Sequence, residues 1–295
     1  MLDISVIILT YNEEIHIERC IRNAQKFAKE IFLVDSYSTD RTIEIATKLG
    51  AKVYQHIWEN NHSKQFNWGL KNLPIQTEWV YKMDADEYLS GSLINELHSA
   101  LPHLPEDVTG ITFPCLRIFM GKYIKYGIIP LILLRLFKRK YAICEVRLMD
   151  EHIQVTQGRI LNFKNPFYDH NLNDLTWWTQ KHNGYAIREA VDLLITEYNL
   201  NTNTSIANSG EHSGEVRKKK LKYVKLPLFW RAFAFFFLRY FIKLGFLDGK
   251  EGFLWHFLQG WWYRTLADAK VYEIKKRFNW DEEKIKEYIV TNYLN

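Results

Sequence analysis

Ile4-Ser5-Val6-Ile7-Ile8-Leu9-Thr10-Tyr11-Asn12-Glu13-Glu14 runs from an apolar block straight into polar and acidic residues. Such an unbroken block reads as a parallel strand covered on both faces. Asn12 is a good helix N-cap, and the two glutamates suit the positive end of a first helical turn. Beyond it Ile17, Cys20, Ile21 and Ala24 recur at i, i+3, i+4, i+7, the spacing of an amphipathic helix. Ile31-Phe32-Leu33-Val34 is a second strand ending at Asp35, followed by the cap-rich loop Ser36-Tyr37-Ser38-Thr39-Asp40. A second helix carries Ile43, Ala46 and Leu49 and stops at Gly50. Lys52-Val53-Tyr54 starts a third strand, Ser63 opens a helix through Leu73, and Trp79-Val80-Tyr81-Lys82-Met83 is a fourth strand. This alternation predicts an α/β fold, a mostly parallel sheet flanked by helices, with ligands at the carboxyl ends of the strands. No Gly-x-Gly-x-x-Gly or phosphate-loop motif is present, which argues against a dinucleotide dehydrogenase or a P-loop NTPase.

Asp84-Ala85-Asp86-Glu87 follows the fourth strand directly. Carboxylates at i and i+2 beyond a buried strand supply hard oxygens for Mg²⁺ or Mn²⁺, whose other positions a diphosphate fills. In isolation the tetrapeptide reads equally as an acidic turn. Its position in line with Thr10–Glu13 and Asp35–Asp40, at the ends of neighbouring strands, gives it weight.

These three motifs, in this order, resemble the family 2 glycosyltransferases of GT-A fold, a Rossmann-like sheet. The segment Gly245-Phe246-Leu247-Asp248-Gly249-Lys250-Glu251-Gly252 is similar to the bacterial subgroup that builds lipopolysaccharide cores and surface polysaccharides. The resemblance implies a nucleotide pocket lined by Thr10, Tyr11, Asn12 and Glu13, with Asp35 accepting hydrogen bonds from uracil or ribose. It implies that Asp84 lies near ribose and metal and that Asp86 is the principal metal ligand. Each has a structural alternative: Asn12 as a cap, Asp35 as a turn-former, Glu13 as compensation of the helix dipole. One departure stands out in Ser63-Lys64-Gln65-Phe66-Asn67-Trp68, where Phe66 takes the position of a basic residue in many members. Phe66 sits at helical spacing from Leu70 and reads as core, leaving Lys64 to supply charge toward the nucleotide.

On the acceptor side, Leu134-Arg135-Leu136-Phe137 and Met149-Asp150-Glu151-His152 resemble motifs of the same subgroup. An inverting transferase needs one carboxylate to take the proton of the attacking hydroxyl. Glu151 is the candidate base and Asp150 the near alternative, against a plain acidic turn. Arg135 is a candidate contact for diphosphate or an anionic acceptor, or an ordinary surface arginine. In Asp169-His170-Asn171, a neutral His170 would complete the metal site or bind the β-phosphate. Lys181 and Tyr185 share a helix face, and Lys181 is assigned to diphosphate or acceptor. Trp177 and Trp178 would stack on a sugar or pack in the core.

Among 295 residues with net charge +5, the basic character is local. Residues 216–265 hold eleven Lys or Arg against two acids, interleaved with Phe, Trp and Tyr. Arg231, Arg239 and Lys243 break any run long enough to cross a bilayer. The aromatics form blocks rather than scattered stacking platforms, which argues against nucleic-acid binding. An interfacial, membrane-associating segment meeting inner-leaflet anionic lipids fits this pattern; a homo-oligomer interface is the competing reading. Cys20, Cys115 and Cys144 form no zinc or redox pattern. With no signal-peptide pattern, the expected location is cytoplasmic, peripheral on the inner face of the plasma membrane. The expected organisation is a catalytic domain over 1–198, a polar linker over 199–215 and a helical membrane-associating region over 216–295. The expected reaction moves a hexose, glucose favoured, from a UDP-sugar to a lipid-linked or lipopolysaccharide-core acceptor, with Mn²⁺ or Mg²⁺. A nucleotidylyltransferase, or an inactive membrane-peripheral scaffold of the same fold, is the alternative.

Overall fold

The computed structural model describes residues 1–128, 131–145, 152–200 and 221–294. The chain forms two compact units, one of residues 1–123 and 129–173, the other of 124–128 and 174–295.

In the first unit the strands are β1 (Leu2–Thr10), β2 (Ala28–Asp35), β3 (Lys52–Gln55), β4 (Trp79–Asp84), β5 (Glu87–Leu89), β6 (Val108–Phe119), β7 (Lys122–Tyr123), β8 (Leu131–Lys138), β9 (Ala142–Cys144), β10 (Ile153–Val155), β11 (Arg159–Asn162) and β12 (Phe167–His170). The helices are α1 (Ile17–Ala24), α2 (Thr42–Lys48), α3 (His62–Asn72) and α4 (Gly91–Ala100). The main sheet runs β3-β2-β1-β4-β8-β6-β12-β5, with β7 and β11 also paired to β6. The β3-β2-β1-β4 half is parallel, and β8 joins antiparallel to β4 and β6. The mixed, mostly parallel sheet flanked by helices is the predicted architecture.

Strand β1 has core on both sides, because successive side chains alternate between faces. Ile4, Val6 and Ile8 pack with Ile17, Cys20 and Ile21 of α1. Ile7 packs in a second cluster with Phe32, Phe66 and Phe137. Phe66 is fully buried and meets Phe137 edge-on at 6.3 Å, so the family's basic position is a core position here.

Two helix starts differ from expectation. Helix α1 begins at Ile17 after His16, not after Asn12. Asn12 has φ +54°, a left-handed conformation that asparagine tolerates, and serves the loop instead. Helix α3 begins at His62, because Asn61 rather than Ser63 caps it by accepting from the Lys64 backbone N–H.

The second unit contains α5 (Leu175–Glu197), α6 (Trp230–Phe237), α7 (Gly249–Trp255), α8 (Tyr263–Arg277) and α9 (Glu282–Ile289), with π-helical turns at Leu238–Ile242 and His256–Trp262. Compactness groups α5 with these C-terminal helices, whereas a cut at 198 would leave it with the sheet. Most of the 199–215 stretch, and Arg217 to Lys220, lie outside the described residues. Asp174 caps α5 through the Trp177 N–H at 2.8 Å. Arg231 and Asp268 form a buried ion pair at 2.5 Å, their side chains 2% and 1% exposed.

The Gly245–Gly252 motif acts as a clasp on residues 124–128. Asp248 Oδ2 accepts the backbone N–H groups of Lys125 and Tyr126 at 3.0 and 2.8 Å. A Cβ on Gly245 would lie 2.4 Å from His256 Nε2, and one on Gly127 (φ +70°) 2.5 Å from the Arg239 carbonyl oxygen. Only glycine permits that approach. Among the described residues, no helix is long and apolar enough to cross a membrane.

Candidate active site

Register brings the strand ends together: Thr10 pairs with Asp35 across β1 and β2, and Leu9 with Asp84 across β1 and β4. The buried Thr10 hydroxyl donates to Asp35 Oδ1 at 3.0 Å. Ser38 adds its hydroxyl to Oδ1 at 2.5 Å and its N–H to Oδ2 at 2.8 Å. Asp35 is 0% exposed and its carboxylate organises the β2 loop. Thr10 and Asp35, both expected at the nucleotide, hydrogen-bond each other. Asn12 joins the two loops, donating its N–H to Ser38 Oγ at 2.9 Å and accepting from the Thr39 N–H at 2.8 Å. Tyr11, by contrast, is 59% exposed at the loop tip.

Glu13 fixes a buried histidine. His16 Nε2 accepts from the Leu172 N–H at 2.8 Å, so the ring proton lies on Nδ1 and is donated to Glu13 Oε2 at 2.6 Å. Glu13 thereby ties the β1 loop to the segment after β12. Lys64 is exposed and pairs with Glu59 at 3.1 Å.

The acidic tetrapeptide is divided in role by depth. Asp84 keeps 46% of its side chain exposed, while Glu87 is buried with 4%. Arg135, expected at the diphosphate or acceptor, is buried between them. It donates to Asp84 Oδ2 at 2.9 Å and to Glu87 Oε1, with Phe167 under its guanidinium. Burial would raise Asp84, but Arg135 and then Lys82 outweigh it and hold the carboxyl well below the usual carboxylate range. Burial pushes Glu87 the other way, with Arg135 opposing. Arg135 is the internal counter-ion that keeps Asp84 charged.

Asp86 is half-buried, and its Oδ2 accepts from Asn171 Nδ2 at 3.0 Å. Beside it, Arg19 of α1 reaches the carbonyl oxygens of Asp86 and His170 at 3.1 and 2.6 Å and His170 Nδ1 at 3.1 Å. Arginine only donates, so His170 Nδ1 is the acceptor and its proton is on Nε2. Burial and then the Arg19 charge lower the His170 pKa, which keeps the ring neutral at pH 7. Sequence reasoning missed Arg19, since a single basic residue on α1 carries no local signal. Asn171 was given no role either, although it adjoins His170.

Lys181 lies in the second unit, its ammonium 4.4 Å from the Trp177 ring centroid and 5.7 Å from that of Tyr185. Trp178 is buried and stacked on His182 at 3.5 Å, so it packs rather than facing solvent. Asp150 and Glu151 lie outside the described residues.

Among the described residues no three His, Cys, Asp or Glu side chains group to cage an ion. The donor set fits a hard cation that takes one or two carboxylates and completes its shell with water and phosphate. Asp84 and Asp86 each commit one oxygen, to Arg135 and Asn171. His170 fits such an ion poorly while Arg19 faces Nδ1 and the proton is on Nε2.

Residues 5–144 match the model of the family described as Glycosyl transferase family 2. A glycosyltransferase of Rickettsia bellii (strain RML369-C) is 28% identical over 94% of this chain and 88% of its own. One of Rickettsia conorii (strain Malish 7) is 29% identical over 85% and 83%. Among solved structures, a mannosyltransferase from Pyrobaculum calidifontis in complex with GDP-Man and Mn²⁺ superposes with TM-score 0.50 at 15% identity, over 92% of this chain and 87% of that one. That likeness is one of fold, the GT-A arrangement of sheet and helices. Residues 5–144, which hold the aligned strand ends and the acids beyond β4, are thus similar to glycosyl transferase family 2.

Proposed function

We propose that this glycosyltransferase moves a hexose, glucose favoured, from a UDP-sugar to a lipid-linked or lipopolysaccharide-core acceptor, with Mn²⁺ or Mg²⁺ at Asp86 and Asp84. The observation that carries the donor site is the contrast within the tetrapeptide. Asp84 is half-exposed and held ionised by a buried arginine, and Asp86 stands beside it in the same turn. Uridine and glucose rest on the sequence resemblance, and the amphiphilic acceptor on the aromatic, basic C-terminal region.

When bound, the cation neutralises charge on the departing diphosphate. Asp84 and Asp86 hold it, and Arg135 and Asn171 hold them. His170, proton outward on Nε2, donates a hydrogen bond to the diphosphate rather than ligating the cation, with Arg19 fixing its tautomer. Glu151, or Asp150, takes the proton from the acceptor hydroxyl as that oxygen attacks the anomeric carbon. Inversion follows from this single displacement.

The test is UDP release from a panel of UDP-sugars with Mn²⁺ or with EDTA, comparing wild type with Asp86→Ala. Turnover of one donor, lost with EDTA and reduced by at least about a hundredfold in Asp86→Ala, is expected, because metal charge stabilisation is worth several kcal/mol. Equal turnover in EDTA would remove the metal, and neither binding nor turnover of any UDP-sugar would remove the donor assignment.

A further inference from the structure

We infer that the exposed face of the helix Trp230–Ile242 is an in-plane docking surface for a lipid bilayer bearing anionic headgroups. Over these residues α6 and its π-helical turn form one continuous helix. Trp230 (71% exposed), Phe233 (38%), Phe237 (45%), Phe241 (47%) and Ile242 (63%) recur on its outer side. Arg231, Ala232 and Phe236 are buried on its inner side. The outer rings touch in series, Trp230 to Phe233 at 6.3 Å, Phe233 to Phe237 at 6.4 Å and Phe237 to Phe241 at 5.0 Å. They form a continuous apolar stripe, and contiguous exposed apolar surface edged by charge marks an interaction surface.

Charge selects the occupant. Exposed Lys222 and Lys225 precede the stripe and exposed Lys243 follows it. Aromatic rings between snorkelling lysines suit the acyl–headgroup boundary, and each lysine near an anionic surface adds attraction. A second copy of this chain suits it less, because a two-fold interface sets the same patch against itself and would bring these basic flanks together. The helix is too short and too interrupted by charge to span a bilayer, so it lies in the plane.

This inference goes beyond the sugar-transfer reading and does not rest on donor chemistry. The full chain is sedimented with vesicles of phosphatidylcholine alone and of phosphatidylcholine with phosphatidylglycerol, at low and high salt, beside the Phe237→Ser/Phe241→Ser and Lys225→Glu/Lys243→Glu variants. Thermal melts report whether each variant is folded. Wild type is expected to bind the anionic vesicles, and salt to weaken that binding. The Phe pair is expected to lose on the order of tenfold or more in partitioning, and the Lys pair to lose the preference for anionic lipid. Equal binding by the folded Phe variant overturns the assignment. So does absence of vesicle binding, and self-association of wild type that the Phe variant abolishes would give the face to a second copy.

Discussion

In the first unit apolar side chains fill the interior, and the polar ones, the buried Arg135–Glu87 pair included, gather at the strand ends. In the second unit aromatic rings lie outside and an ion pair lies inside. Ile4, Val6, Ile7 and Ile8 of β1 are each 0% exposed, and the polar residues follow at the strand end. By contrast Trp230 is 71% exposed while the Arg231 and Asp268 side chains, on and facing the same helix, are 2% and 1% exposed. An exposed apolar stripe and a buried charge pair are the informative exceptions to ordinary burial. Where the chain keeps the rule it builds a scaffold for a site, and where it inverts the rule it presents a surface.

The comparison can be broken most sharply at the inverted positions. Asp268→Ala leaves the Arg231 guanidinium buried without its carboxylate, which is expected to lower stability by about 3–5 kcal/mol in denaturant titration. Phe66→Ala, which removes a ring from the sheet core, is expected to cost a similar ~3–5 kcal/mol. A loss much below that would mean that the core collapses into the space the ring leaves.

A pH effect of the next size comes from His256, whose buried ring faces the Tyr126 carbonyl at 3.2 Å. Burial, then the charge of Arg239, push its pKa from 6.5 to about 4. Between those values the unfolded chain binds the proton and the folded chain does not, so stability rises with pH. The contribution is complete above pH 6.5 and is lost as pH falls toward 4, up to about 3 kcal/mol. His256→Gln should flatten that part of the stability–pH curve. The smallest expected effect sharpens the contrast: Phe237→Ser on the exposed stripe should change stability by no more than about 0.5 kcal/mol, although Phe66 and Phe237 are the same residue type.

Much of the first unit was legible because burial imposes periodicity. The apolar run of β1, the α1 spacing and the strand before Asp84 all followed from it, as did Phe66 as core. What the sequence left open concerns partners rather than elements. Asn12 has the chemistry of a cap, yet bridges two loops in a left-handed conformation. Asp35 reads as a ribose acceptor or a turn-former, and its carboxylate is held by Thr10 and Ser38. Lys64 is paired on the surface with Glu59.

The sequence by itself therefore determined the alternation of strands and helices, the acids beyond β4 and the basic, aromatic character of the C-terminal region. Each is written in local order, since side-chain period and hydrophobicity act over a few residues. Only the tertiary structure decided that Arg135, 51 residues from Asp84, neutralises it from within, and that Arg19, 151 residues from His170, sets the tautomer of that ring. Strand register and helix placement choose such partners, and a hydrogen bond forms only where the fold brings donor and acceptor within about 3 Å. No spacing along the chain encodes that distance.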